Sequence, residues 1–348
     1  MSDSETMILA GAPDVPGLRF RHFRGAADFA GLSVASNASR LADGREFTTT
    51  EEGLANYYAH LANCDPATDM TVAEIDGTLV GFTRVEWYLE ETGAYRYVFP
   101  LVLQPEWRGR GIRRAMLHWA EARARQIAAG HPADALKRLG SNVFSQAVSL
   151  AALLEDEGYR PVRYFSDMTR SLDTPLPDFA MPPGLEMRPV RPEHYRPIWE
   201  ASEDAFRDHW GYSPASEEEY RAWLADEVVF TPELWQIAWD VATDEIAGQV
   251  RTFIDSPENE RFQRQRGYTE FISVRRPYRR RGLARALIAE SLRVQKARGM
   301  TESGLTVDSE NLTGATRLYE ACGFAVTSQA TIYHKLLETQ PSPAGDET

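Results

Sequence analysis

One short pattern occurs twice in this chain, and it constrains the fold more than any bulk property does. In the second half, Pro277-Tyr278-Arg279-Arg280-Arg281-Gly282-Leu283-Ala284-Arg285-Ala286-Leu287 joins a strand-like run, Phe271 to Val274, to a helix-like run, Ala286 to Lys296. In the first half, Pro105-Glu106-Trp107-Arg108-Gly109-Arg110-Gly111-Ile112-Arg113-Arg114-Ala115-Met116 follows Val98 to Leu103 in the same way. Aligned on Arg108 and Arg279, both copies carry an aromatic one residue before the arginine and a glycine three residues after it. A glycine-containing turn between strand and helix lets backbone N–H groups converge, and the helix start adds unpaired donors and the positive end of its dipole. Such a point attracts an anion. Gly111 and Gly282 permit close approach, and the arginines offer forked, charge-assisted hydrogen bonds to phosphate oxygens.

The rest of the composition makes this basic character local. A net charge of -13 opposes general affinity for nucleic acid or an anionic membrane, so the arginine clusters suit a small polyanion. Cys64 and Cys322 lie in separate halves and suggest neither a disulfide framework nor a CxxC metal site, so no metal is expected and a reducing cytoplasm is the simplest setting. Residues 1–17 lack a basic segment followed by an apolar run, and no stretch approaches the roughly 18 uninterrupted apolar residues of a membrane span.

At 348 residues the chain is long enough for two domains, and the repeat divides it accordingly. Residues 1–170 form the expected first domain. Residues 171–184, with Pro175, Pro177, Pro182 and Pro183, read as a linker, residues 185–338 as the second domain and residues 339–348 as a disordered tail. The first half offers strands at Leu18 to Phe23, Met70 to Ile75, Leu79 to Trp87 and Tyr95 to Leu103, with helices inside Gly25 to Ala62. The second repeats that order, with strands at Leu185 to Val190, Trp235 to Trp239, Gly248 to Ile254 and Tyr268 to Val274, and helices near Pro192 to Phe206 and Ser216 to Asp226. Such an order predicts an α/β fold with a mixed sheet flanked by helices in each half.

The R-x-x-G-x-A pattern at Arg279, Gly282 and Ala284 resembles the acyl-CoA signature of the GNAT superfamily of N-acyltransferases. Asn311, Ala315, Leu318-Tyr319-Glu320 and Cys322-Gly323-Phe324 resemble the family's second CoA-contacting segment. The first copy matches at Arg108 and Gly111 and departs at Arg113, where the family has a small residue. The resemblance implies two tandem GNAT-like domains, in a layout similar to mycothiol synthase-like proteins, each sheet opening in a V between its fourth and fifth strands. It also implies acetyl-CoA as cosubstrate. Ile272, Ser273, Val274, Arg279, Arg280, Arg281, Gly282, Leu283, Ala284 and Asn311 would hold it in the second half. Their counterparts in the first are Leu103, Arg108, Gly109, Arg110, Gly111 and Ile112.

N-acyl transfer needs a neutral amine, an oxyanion stabiliser and a proton for the departing thiolate. By resemblance Tyr319 would be that proton donor, and backbone donors near Ile272 to Val274 would polarise the thioester. Glu270 is the one acid on Tyr268 to Val274, and by alternation it shares a face with Ile272 and Val274, as a candidate base or as a partner of Arg275 or Arg251. The first half matches Tyr319 with Leu154, Asn311 with Gln146 and Glu270 with Phe99. Leucine and phenylalanine carry no proton. The expected function is therefore an N-acetyltransferase acting on a small-molecule or peptide amine, a monomer or homodimer, with a catalytic second half and a degenerate first. The alternative is an acyl-CoA sensor or scaffold without turnover. His334, the Phe206 to Tyr212 string and the charged Asn259 to Arg266 segment are open candidates for the acceptor side.

Overall fold

The computed structural model describes residues 6–311 and 314–338, which fall into two compact units. Unit 1 takes in residues up to 45, residues 49–162 and residues 331–338; unit 2 takes in residues 46–48 and 163–330. The expected tail, 339–348, lies outside the described residues.

The first half contributes β1 (Thr6–Met7), β2 (Leu18–Arg21), α1 (Phe29–Ala42), α2 (Glu51–Ala59), α3 (Pro66–Asp69), β3 (Met70–Ile75), β4 (Thr78–Arg84), β5 (Glu86–Leu89), β6 (Tyr95–Val98), β7 (Val102–Leu103), α4 (Ile112–Ala128), β8 (Lys137–Phe144), α5 (Val148–Asp156) and β9 (Arg160–Ser171). The second half contributes β10 (Leu185–Met187), α6 (Tyr195–Phe206), α7 (Glu217–Leu224), β11 (Gln236–Asp240), β12 (Ile246–Phe253), α8 (Ser256–Phe262), β13 (Arg266–Val274), α9 (Leu283–Ala297), β14 (Glu302–Asp308), α10 (Ala315–Ala321) and β15 (Ala325–Leu336).

In unit 1 one sheet runs β1-β2-β3-β4-β7, while β5 and β6 pair antiparallel and β6 pairs parallel with β8. The strand expected over Tyr95 to Leu103 is thus two pieces in different sheets, parted by Phe99, Pro100 and Leu101. Proline cannot donate to a ladder, which fits a break at that point. Helix α4 buries Ile112, Ala115, Met116, Ala120 and Ala124, the i, i+3, i+4 stripe of an amphipathic helix, into the largest apolar cluster of the unit. The end of β15 lies next to β8, and Leu337 N–H bonds to Lys137 O at 3.0 Å.

Unit 2 carries the strand order β10-β11-β12-β13-β14-β9, antiparallel apart from β13 with β14. Its last strand comes from the first half of the sequence, with Phe165 to Ser171 opposite Asp308 to Glu302. Helix α9 packs Leu283, Leu287, Ile288 and Leu292 on the sheet. The proline-rich segment does not hang free: Leu172 is buried, Leu176, Phe179 and Met181 pack on the same cluster, and Lys296 donates to Leu172 O at 2.7 Å. Apolar residues set between the prolines turn it into a strap. The charged segment after Ile254 is also ordered, because Asp255 caps α8 by accepting from Glu258 N–H at 2.8 Å, with Pro257 in the first turn. Among the described residues no helix is long and apolar enough to cross a membrane.

Candidate active site

Strands β13 and β14 pair only over Arg266, Gly267 and Tyr268 with Glu302, Ser303 and Gly304. Beyond Tyr268, β13 continues along β12 to Val274 while β14 continues along β9 to Asp308. The two strands part, which is the opening expected between the fourth and fifth strands. A register shift opposite Gln249 to Arg251 marks a bulge in β13, where Phe271 takes φ of 51°. A phenylalanine in that region is strained, and the Arg251 guanidinium sits over its ring at 4.0 Å. The bulge also interrupts the alternation by which Glu270 was to share a face with Ile272 and Val274.

At the end of β13 the chain enters the arginine-glycine turn. Arg280 has φ of 61° and Gly282, the N-cap of α9, has φ of 89° with no side-chain cap, so the first amides of a 15-residue helix are left for a ligand. A cavity of about 680 Å³ is lined by Ile272, Ser273, Val274, Arg279, Arg280, Arg281, Gly282, Leu283, Ala284, Asn311 and Tyr319, together with Ala205 and His209. Every residue expected to hold the cosubstrate in the second half lines this one cavity.

Their roles differ from the expectation in one respect. Arg279 donates from Nε to Val274 O at 2.9 Å, from Nη1 to Asp208 at 2.7 Å and from Nη2 to Ala205 O at 3.1 Å. Arg108 does the same in the first half, with Leu103 O at 3.3 Å, Asp43 at 2.7 Å and Ser39 O at 2.9 Å. The first arginine of the motif is a pin that ties the strand end to the first helix, and each of its nitrogens is already engaged. Arg281 donates to Pro183 O at 2.8 Å. Arg280 makes no hydrogen bond or ion pair among the described residues, and it is the turn's open cation.

Tyr319, on α10, is buried at the cavity wall. Burial first, and the neighbouring Glu270 carboxylate second, push its phenol pKa well up, so it remains a proton donor. Glu270 accepts from Thr306 N–H at 2.7 Å across the gap where β13 and β14 part. Burial raises its carboxyl to about 7, against the opposing pull of backbone N–H bonds from Thr306 and Phe271. A carboxyl half ionised near neutrality is suited to accept a proton. It stands at the fork and is not itself one of the residues that line the cavity.

The other candidates separate. His334 belongs to unit 1, where its ring lies against Gly140, and so is no part of this cavity. Asp208 binds Arg276 and Arg279, Tyr212 donates to Glu203 at 3.1 Å, and only His209 of that string faces the cavity. The pin formed by Asp208 escaped the sequence reading. Its signal was present, since an aspartate, Asp43, ends the first helix of the other half as well.

In unit 1 the turn has the same backbone, with Gly109 at φ of 74° and Gly111 at 86°. Its surroundings do not match. A Cβ placed on Gly111 would lie 3.3 Å from Pro13, so the N-terminal segment roofs the turn. Leu103 and Ile112 are fully buried, and none of Leu103 and Arg108 to Ile112 lines the unit's own cavity. Leu154 and Phe99 fill the positions of Tyr319 and Glu270 as buried core. Among the described residues no cluster of His, Cys, Asp and Glu could hold a metal ion.

The profile of the Acetyltransferase (GNAT) family matches residues 39–147 and again 195–324. The chain is 30% identical over 273 residues to a mycothiol acetyltransferase of Salinispora arenicola (strain CNS-205), covering 78% of this chain and 82% of that one. A second mycothiol acetyltransferase, from Salinispora tropica, is 30% identical over 265 residues, covering 75% and 79%. Among solved structures, a GCN5-related N-acetyltransferase from Sphaerobacter thermophilus superposes with a TM-score of 0.70 at 26% identity, covering 94% of this chain and 97% of that one. A tandem GNAT protein from the clavulanic acid biosynthesis pathway superposes at 0.63 and 17% identity, covering 93% and 100%, a likeness of fold.

Proposed function

The chain belongs to the GNAT acetyltransferase family, as a tandem acyltransferase, and from that premise we propose that acetyl transfer takes place in the second half, from acetyl-CoA to the primary amine of a small molecule. The observation that carries this reading is the single cavity on which the arginine-glycine turn, Asn311 and Tyr319 converge. Acetyl-CoA supplies an acetyl thioester and a diphosphate. The open amides at the start of α9 and the side chain of Arg280 suit the diphosphate. Backbone donors of Ile272 to Val274, beside the bulge, suit the thioester oxygen. The amine nitrogen bonds to the acetyl carbon, Glu270 takes the proton the amine loses through one bridging water, the carbon–sulfur bond breaks, and Tyr319 gives its hydroxyl proton to the sulfur. Glu270, ionised above about 7, acts as base while Tyr319 keeps its proton. The mycothiol acetyltransferases to which the chain is similar support a small-molecule acceptor.

The test pairs calorimetry of acetyl-CoA binding with thiol release over a panel of small amines. One binding site and turnover that depends on Tyr319 are expected. Two equal sites, or a Tyr319→Phe variant with unchanged turnover across pH, would overturn the assignment to the second half.

A further inference from the structure

We propose that the cavity of unit 1 is a second ligand site, which takes a small organic anion, a carboxylate or phosphate ester on a compact apolar body, at the guanidinium of Arg113. The cavity, about 700 Å³, is formed by unit 1 residues alone. Aromatic side chains wall it, among them Tyr58, Phe82, Phe99 and Phe144. The charged groups on its lining are Arg40, Arg84, Arg96 and Arg113 against Asp43 and Glu86. Both acids are already matched, Asp43 by Arg108 at 2.7 Å and Glu86 by Arg84 at 3.1 Å. Of the lining arginines, Arg96 in turn pairs with Glu90 at 3.3 Å, and it is Arg113 that keeps a buried terminal nitrogen without a partner.

Arg113 holds the key position. It is 7% exposed and forms no ion pair among the described residues. Its Nε donates to Leu101 O at 3.1 Å, its Nη2 reaches Ser39 Oγ only at 3.5 Å, and its Nη1 is buried without any partner. A buried guanidinium with an unmet donor is unfavourable, and an anionic ligand is what would satisfy it. The repeat removes a structural excuse, because the matching position in unit 2 is Ala284 and the turn there forms without an arginine. Burial and the nearby Arg108 also hold the Arg113 guanidinium down at about 10, a strain that an anion would relieve. Since Arg113 occupies the Leu101 carbonyl in the gap between β6 and β7, the ligand that fits is compact, and a long acyl-CoA arm is disfavoured. A volume in this range accommodates a benzoate-sized body.

Calorimetry on the full chain with benzoate, phenyl phosphate, inorganic phosphate and benzyl alcohol tests the proposal. At least one of the two aromatic anions should bind one to one, tenfold or more tighter than benzyl alcohol and than inorganic phosphate. Which of them binds tighter identifies the head group. Arg113→Met should lose tenfold or more of that affinity while acetyl-CoA binding is retained and the ligand-free thermal midpoint holds or rises. Should that variant not fold, Arg113→Lys keeps the charge and loses the fork, and at least a fivefold loss is expected. Anions binding no better than benzyl alcohol, unchanged anion affinity in the Arg113 variants, or loss of anion binding in Gly282→Trp instead, would each overturn it.

Discussion

Arg108 and Arg279 are held by the same three kinds of bond, to the carbonyl at the end of a strand, to an aspartate and to a carbonyl of the first helix. Five residues further on the two halves diverge: Arg113 is drawn inward beneath its turn, while Ala284 leaves the lining of the unit 2 cavity open. What repeats in this chain is therefore scaffold. What differs, at Arg113 against Ala284, Leu154 against Tyr319 and Phe99 against Glu270, sets what each half can do.

The sharpest way to break the contrast is at the two glycines. Gly282→Trp should weaken acetyl-CoA binding about 100-fold or more, because φ of 89° strains any side chain and an indole there would cover the open amides. Gly111→Trp should leave that affinity unchanged and cost about 1–3 kcal/mol in thermal unfolding, since its side chain would meet Pro13. Equal losses of acetyl-CoA affinity would mean that both turns bind it. Next in size, Tyr319→Phe should lower kcat about 100-fold with KM little changed. Leu154→Tyr should do nothing to turnover.

Glu270→Gln sharpens the contrast further, with about a 10- to 100-fold loss of kcat/KM and disappearance of the rising limb centred near pH 7. Its stability effect has a definite sign. A carboxyl whose pKa is raised in the fold holds its proton more firmly there, so its contribution is present at low pH and is lost as pH rises toward about 7. The Gln variant should thus gain about 1–2 kcal/mol over the native protein at pH 8, read from thermal midpoints. The smallest contrast is between the pins. Asp43→Ala should cost about 3 kcal/mol, since its side chain is only 7% exposed, whereas Asp208→Ala, at 36%, should cost less than about 1.

Much of this is legible in the sequence. Met70 to Ile75 is β3 residue for residue, and the Asp76-Gly77 turn follows it with both residues at positive φ. The gathering of Arg279 to Ala284, Asn311 and Tyr319 on one cavity was legible because a strand, a turn and a helix carry those residues in an order that a single packing satisfies. The pin was not. Arginines written side by side look equivalent, and only three dimensions reveal that Arg279 points at an aspartate 71 residues upstream while Arg280 faces outward. The bulge at Phe271 was equally hidden, since a strand's period of two says nothing of where one extra residue enters. The packing of Leu172, Leu176, Phe179 and Met181 was not legible either, because prolines dominate the segment and nothing in the sequence says where the apolar residues between them dock.

The exchanged strands have a temporal consequence. Phe165 to Ser171 emerges from the ribosome more than 130 residues before β14, its partner, and β8 must wait for residues 331–336, more than 180 residues later. Neither of these two sheets can therefore close while the first half alone has been made, unlike β1-β2-β3-β4-β7, whose strands all lie in that half. At about 5–20 residues per second the wait is on the order of ten seconds or more, during which Lys137 to Phe144 presents an open edge. A synthesis pause before β15, or a truncation that removes it, would accordingly be felt first by the half that was made first.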